Sequence, residues 1–152
     1  MVKHIGIIAL LIFAVFSASP EEAGEFTFPP QAILNASFQG DEETVRLILE
    51  AGTDKEVRTS LGDTALHLAV YQTNSNVVRL LLEYGFDPNA RNNMGNTPLH
   101  NTVSANNENA ARLLLQYMAN RNLRNLAGIS PFDKARQEGK TRLVRLFSSF
   151  RG

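Results

Sequence analysis

Apolar residues recur along this chain in short stripes separated by polar turns. Val45, Leu47, Ile48 and Leu49 form one stripe, and Val77, Val78, Leu80, Leu81 and Leu82 form the next. Adding 33 to a position reaches a similar residue. Val45 leads to Val78, Ala111 and Val144; Leu47 leads to Leu80, Leu113 and Leu146; Leu66 leads to Leu99 and Phe132. The polar punctuation keeps the same register: Thr64, Thr97 and Ser130; Gly62, Gly95 and Gly128; Arg58, Arg91 and Arg124; His67 and His100. A fixed period in this range marks a stack of supersecondary units, none able to bury its apolar face alone.

Within each unit the pattern predicts two short helices and a loop. In the first unit, Ala32, Ile33, Ala36 and Phe38 suit a helix ended by Gly40. Asp41 caps a second helix, with Glu42 and Glu43 in its first turn and Gly52 after its end. An oxygen at the cap accepts from orphan N–H groups, and negative charge suits the positive end of the helix dipole. The later units run Thr64 to Gly85, Thr97 to Met118 and Ser130 to Gly152, each preceded by a polar loop: Thr53 to Asp63, Phe86 to Asn96 and Ala119 to Ile129. Thr or Ser opens each one, and Pro98 and Pro131 follow at the first helical position, where a missing N–H costs nothing. Helices of roughly eight to ten residues are marginal alone in water, so each must be held by its neighbours.

The segments Thr64-Ala65-Leu66-His67-Leu68-Ala69 and Thr97-Pro98-Leu99-His100, the glycine columns and the loop Asp87-Pro88-Asn89-Ala90 resemble the ankyrin repeat. The resemblance covers about Gln31 to Phe150. It implies an all-α repeat fold: an ankyrin solenoid of about four stacked helix-turn-helix units with projecting hairpin loops. The expected boundaries are 31–63 for an N-terminal capping unit, 64–96, 97–129, and 130–152 for a C-terminal cap. Three residues depart from the family pattern: Met118 and Thr102 replace a glycine and an alanine, and Asp133 replaces the motif histidine.

Ahead of the repeats the pattern changes. Ile5 to Phe16 is an unbroken run of apolar residues and glycine, preceded by Lys3 and followed by Ser17, Ala18 and Ser19. This is the pattern of a cleaved export signal, expected to span 1–18, and its apolar run of 12 residues falls short of the roughly 20 that span a bilayer. Residues 19–30, closed by Pro29 and Pro30, read as an extended linker. The expected location is therefore outside the cytoplasm, periplasmic or secreted, with membrane contact only if the signal stays uncleaved.

Composition narrows the chemistry. The chain has no cysteine, which excludes disulfides, thiolate metal sites and a cysteine nucleophile. Formal net charge is zero, but Ser19 to Ala90 carries 12 acidic and 4 basic residues, whereas Arg91 to Gly152 carries 3 and 10. This asymmetry fits either a binding surface or a solvated dipole. His67 and His100 sit one repeat apart without clustered carboxylates, so no metal site is expected. Phosphate-cradling glycine loops and the nucleophile elbow are also missing. No cofactor is expected, and no catalytic residue. The last helix, Lys140 to Phe150, is basic and amphipathic, which suits a C-terminal cap better than binding to anionic lipid or nucleic acid.

What remains is binding. Stacked repeats present a long concave surface, and the family resemblance implies contacts through the loop tips and the first helices. The candidate partner-binding residues are Arg58, Ser60, Leu61, Arg91, Asn93, Met94, Arg124, Leu126 and Ala127 on the loops, with Leu68, Tyr71, Gln72, Asn101, Ser104 and Ala105 on the first helices. Arg91, Arg124 and Tyr71 lead, because arginine and tyrosine are enriched at interface hot spots. The arginine column has a second reading, as a structural ladder paired with Asp54, Asp87 and neighbouring loop groups. The expected function is an exported monomer that binds a partner protein, protecting, assisting or inhibiting an envelope protein. The alternative is a secreted effector that binds a host protein. No nucleic-acid partner is expected.

Overall fold

A computed structural model describes residues 27–73 and 75–150; the expected export signal and most of the linker lie outside the described residues. Among the described residues eight helices follow one another: α1 (Ala32–Gln39), α2 (Glu42–Glu50), α3 (Ala65–Ala69), α4 (Asn76–Glu83), α5 (Pro98–Ala105), α6 (Glu108–Gln116), α7 (Pro131–Gln137) and α8 (Thr141–Ser149). They pair as α1/α2, α3/α4, α5/α6 and α7/α8. The first helices α1, α3, α5 and α7 touch in sequence order to form one layer, and the second helices form the other.

The apolar columns meet between the layers. Ile33, Leu66 and Leu99 line the inner side of the first layer, while Ile48, Leu81, Leu114 and Phe147 line that of the second, all essentially buried. Each such side chain contributes about 1.5–3 kcal/mol through burial, and neighbouring units share the result, which is how helices this short persist. One column breaks at its end. Leu80, Leu113 and Leu146 are buried, but Leu47 is 42% exposed, in the first unit among the described residues.

The helix ends follow the expected chemistry. Asp41 Oδ1 accepts the Thr44 N–H at 3.1 Å, and Asn107 Oδ1 accepts that of Ala110 at 3.0 Å. The Asn107 amide also donates to the carbonyls of Val70 at 2.8 Å and Gln72 at 2.7 Å, tying α6 to the preceding unit. Helix α3 has only five residues, shorter than its pattern suggests. It tightens into bonds from Tyr71 to Leu68 and from Gln72 to Ala69, the three-residue spacing that often closes a helix.

The departures from the repeat pattern are absorbed locally. Met118 takes a left-handed φ of +67° where Gly85 takes +82° in the unit before, so the turn is kept and the strain falls on one residue. Thr102 is buried, and its hydroxyl donates to the Leu99 carbonyl at 2.8 Å. Asp133 exchanges bonds with Ser130 where the earlier units use threonine and histidine. In α8, Leu143, Leu146 and Phe147 are buried, while Arg142 and Arg145 face outward; the helix caps the stack with its apolar face turned inward. No helix among the described residues is long and apolar enough to cross a membrane.

Candidate functional site

Three loops project from the stack, and each is built on one polar side chain. Thr59 Oγ1 accepts the N–H groups of Leu61 and Asp63, Asn92 Oδ1 those of Met94 and Asn96, and Asn125 Oδ1 those of Ala127 and Ile129. A short polar side chain folding back on its own backbone fixes a tight turn. Two backbone bonds close each finger, such as Asn92 N–H to the Asn96 carbonyl at 3.0 Å and Gly95 N–H to the Asn92 carbonyl at 2.8 Å, and the described residues contain no strand.

Bonds between fingers set their spacing. Asn93 N–H donates to the Leu61 carbonyl, and Leu126 N–H to the Met94 carbonyl, both at 3.0 Å. The Asn92 amide reaches Asp63 and the Asn125 amide reaches Asn96, both at 2.8 Å. Gly95 is required here: its φ is +73°, and a Cβ would lie 2.9 Å from the Leu126 nitrogen.

The arginine column joins the same framework. Arg58 donates to the Arg91 carbonyl at 2.9 Å, and Arg91 to the Arg124 carbonyl at 2.7 Å. Arg124, on the last finger, turns to the Gly128 carbonyl and to Asp133 at 3.1 Å. The partners are not the aspartates expected from the sequence. Asp54 and Asp87 instead accept the backbone N–H groups of Glu56 and Asn89 within their own turns. Arg91 and Arg124 remain exposed while holding these bonds.

The histidines hold the fingers to the helices. His67 Nδ1 accepts the Thr64 N–H at 3.2 Å, and its other nitrogen donates to the Asn96 carbonyl at 2.9 Å. His100 repeats this with Thr97 at 3.0 Å and Ile129 at 3.0 Å. Each ring therefore carries its proton on Nε2. Burial pushes both pKa values below the ordinary histidine value; hydrogen bonds to the Asn96 and Ile129 carbonyls oppose the shift without reversing it. Nearby charges are Asp63 and Arg58 at His67, and Lys134 and Arg91 at His100. Both rings are structural staples with no group of metal ligands around them: among the described residues no three histidines or carboxylates are placed to hold a metal ion.

Five of the exposed apolar residues stand on the fingers and first helices, while Leu47 and Met118, 42% and 74% exposed, lie on or just after second helices. Leu61, Met94 and Leu126 stand at the three finger tips with exposures of 67%, 67% and 78%. Facing them on the first helices runs the column Phe38, Tyr71, Ser104 and Gln137, in which Phe38 and Tyr71 are 57% and 48% exposed. Fingers and helices share this face. Burial and the negative Asp63 of the first finger both raise the Tyr71 phenol pKa. At the other end, Arg124, Gly128 and Ile129 of the last finger line a cleft of about 560 Å3 with Asp133, Arg136 and Gln137 of α7.

The sequence candidates divide by environment. Leu61, Arg91, Asn93, Met94, Arg124, Leu126, Tyr71 and Ser104 are exposed, with Ser60 and Ala127 beside them. Arg58, Leu68, Gln72 and Ala105 are half-buried. Asn101 is 8% exposed, and its amide donates to the His67 carbonyl at 3.3 Å, so it stabilises the stack. The Gln72 amide donates to the Phe38 carbonyl, bridging the first two units. Sequence reasoning placed Phe38 in the first helix and left it out of the candidates. The signal that would have found it is the period itself, since Phe38 is 33 positions before Tyr71.

A family model described as ankyrin repeats, in three copies, matches residues 33–147. No curated protein sequence matches the chain.

Proposed function

The chain belongs to the ankyrin-repeat family, whose members are generally protein–protein interaction modules rather than enzymes, and we propose that it binds a partner protein on the face formed by its finger tips and first helices. The observation that carries this reading is the row of Leu61, Met94 and Leu126, exposed on fingers that hydrogen bonds hold in fixed register. Large apolar side chains held in water on a rigid frame lose little entropy on docking, and clustered exposure of this kind marks interaction sites. Tyr71, Gln72, Arg91, Asn93, Arg124 and Ser104 would supply the polar contacts around them. The arginines serve twice, holding carbonyls of the stack while presenting guanidinium edges to a partner. We further propose that the chain acts after export, as the apolar run Ile5 to Phe16 suggests, protecting, assisting or inhibiting an envelope protein.

Affinity capture by the whole chain from its source cells, combined with fractionation, tests both statements. The expected result is one dominant protein partner, with the chain itself recovered outside the cytoplasm in a form shortened at its N-terminus. Failure to retain any protein even at low ionic strength, where charged surfaces bind best, would overturn the binding role. Recovery of the full-length chain in the cytoplasm would overturn export.

A further inference from the structure

The binding face is not uniform along the stack. In its first two units the helix column is aromatic, with Phe38 and Tyr71 more than two-fifths exposed, as is the Leu61 finger tip between those units. In the last two units the same column is polar, with Ser104 and Gln137. Basic groups dominate there instead. Arg124, Lys134 and Arg136 stand on the last finger and α7, against Asp133 and Glu138. Asp133 pairs with Arg124 at 3.1 Å and Glu138 with Lys134 at 2.7 Å, exposed or half-exposed pairs that leave the cluster one positive charge in excess. Arg136 lies over the Phe132 ring at 5.9 Å, at the rim of the cleft. The field of the whole C-terminal part, with 10 basic and 3 acidic residues from Arg91 onward, adds to this.

Resting on the binding role argued above, we infer that the partner presents an extended acidic segment, with apolar side chains that dock on Phe38, Tyr71 and Leu61 and a cluster of carboxylates that docks at Arg124, Lys134 and Arg136. The spacing follows from the stack. Packed helices lie about 8–10 Å apart, so the two half-sites, two units apart, are about 20 Å from each other. An extended chain rises about 3.3 Å per residue. The apolar anchors and the carboxylates are therefore about six residues apart in the partner. Single-strand nucleic-acid binding needs aromatics interleaved with the cations, whereas here Phe38 and Tyr71 stand in the first two units and Lys134 and Arg136 in the last.

Panning a displayed library of random 16-residue peptides against the whole chain tests this, beside a Phe38→Ser, Tyr71→Ser variant, a Lys134→Glu, Arg136→Glu variant and an Arg79→Glu control on the opposite helix layer. Circular dichroism and urea midpoints establish that each variant folds, and Arg136→Gln replaces the charge-reversed variant if that one does not. The expected enrichment is for peptides with aromatic or large aliphatic residues about six positions from two or more Asp or Glu. The first variant should lose the apolar preference, the second the acidic preference, and each should weaken selected peptides by about tenfold or more, the effect of losing one hot spot; the control should change neither. Enrichment of basic peptides, or of peptides without an acidic cluster, would overturn the inference while leaving protein binding intact. Selections unaltered by either variant would also overturn it. No enrichment by a folded chain would count against the binding role itself.

Discussion

At the scale of single residues, the structure separates side chains that hold the repeats from those left for a partner. His67 and His100 belong to the first group, because each must stay neutral for Nδ1 to accept a backbone N–H. Their folded pKa values lie below the ordinary value of 6.5, so below that pH the unfolded chain takes up protons that the folded chain refuses. Stability should be steady above about pH 6.5 and fall as pH drops below it. Urea midpoints from pH 8 to pH 5 measure this, and His67→Asn should reduce the slope; an unchanged slope would mean the histidines are not its source. Two other residues carry avoidable costs. The Ser37 hydroxyl is fully buried and unpartnered, so Ser37→Ala should stabilise the chain by about 1 kcal/mol. Met118 holds a left-handed backbone, so Met118→Gly should also stabilise by about 1 kcal/mol. Chemical denaturation checks both, and a loss of stability in either would contradict the assignment.

At the scale of elements, helix pairs were legible in the sequence because their signals are side chains: the apolar stripes, the Asp41 cap, the glycines that end helices. The framework of the fingers was less legible because its acceptors are backbone carbonyls. Arg58, Arg91 and Arg124 were visible as a column expected to pair with Asp54, Asp87 and neighbouring loop groups; loop carbonyls take that place, and the two carboxylates close their own turns. Asn101 and Arg91 look equally available in a sequence; only packing separates the nearly buried amide from the exposed guanidinium. The finger stack can be tested by comparing two glycines. At Gly52, φ is +82° and nothing lies within 4 Å of an added Cβ, so Gly52→Ala should cost about 1 kcal/mol through backbone strain alone. At Gly95 the added Cβ also meets the backbone of the next finger at 2.9 Å. Gly95→Ala should therefore cost more, and hydrogen exchange should quicken at Leu126 N–H. Equal costs would mean that the fingers are not packed as described.

At the scale of the whole molecule, two helix layers and three fingers make a surface whose finger tips are apolar throughout and whose helix column is aromatic at one end and polar, beside basic groups, at the other. The period of 33 in the sequence gave the order of the units and hence the face on which the loops stand. It did not give the grading of that face, which depends on how far Phe38, Tyr71 and the finger tips rise from their neighbours. Rigid frames of this kind bind by presenting side chains already in place, so contact should concentrate on the fingers and first helices. Site-specific photocrosslinking in the source cells measures that directly, with the reactive side chain placed at Met94 on a finger tip or at Arg79 on the second-helix layer. The account predicts one discrete crosslinked protein from position 94 and none from position 79. The same adduct from position 79 with none from position 94 would contradict it.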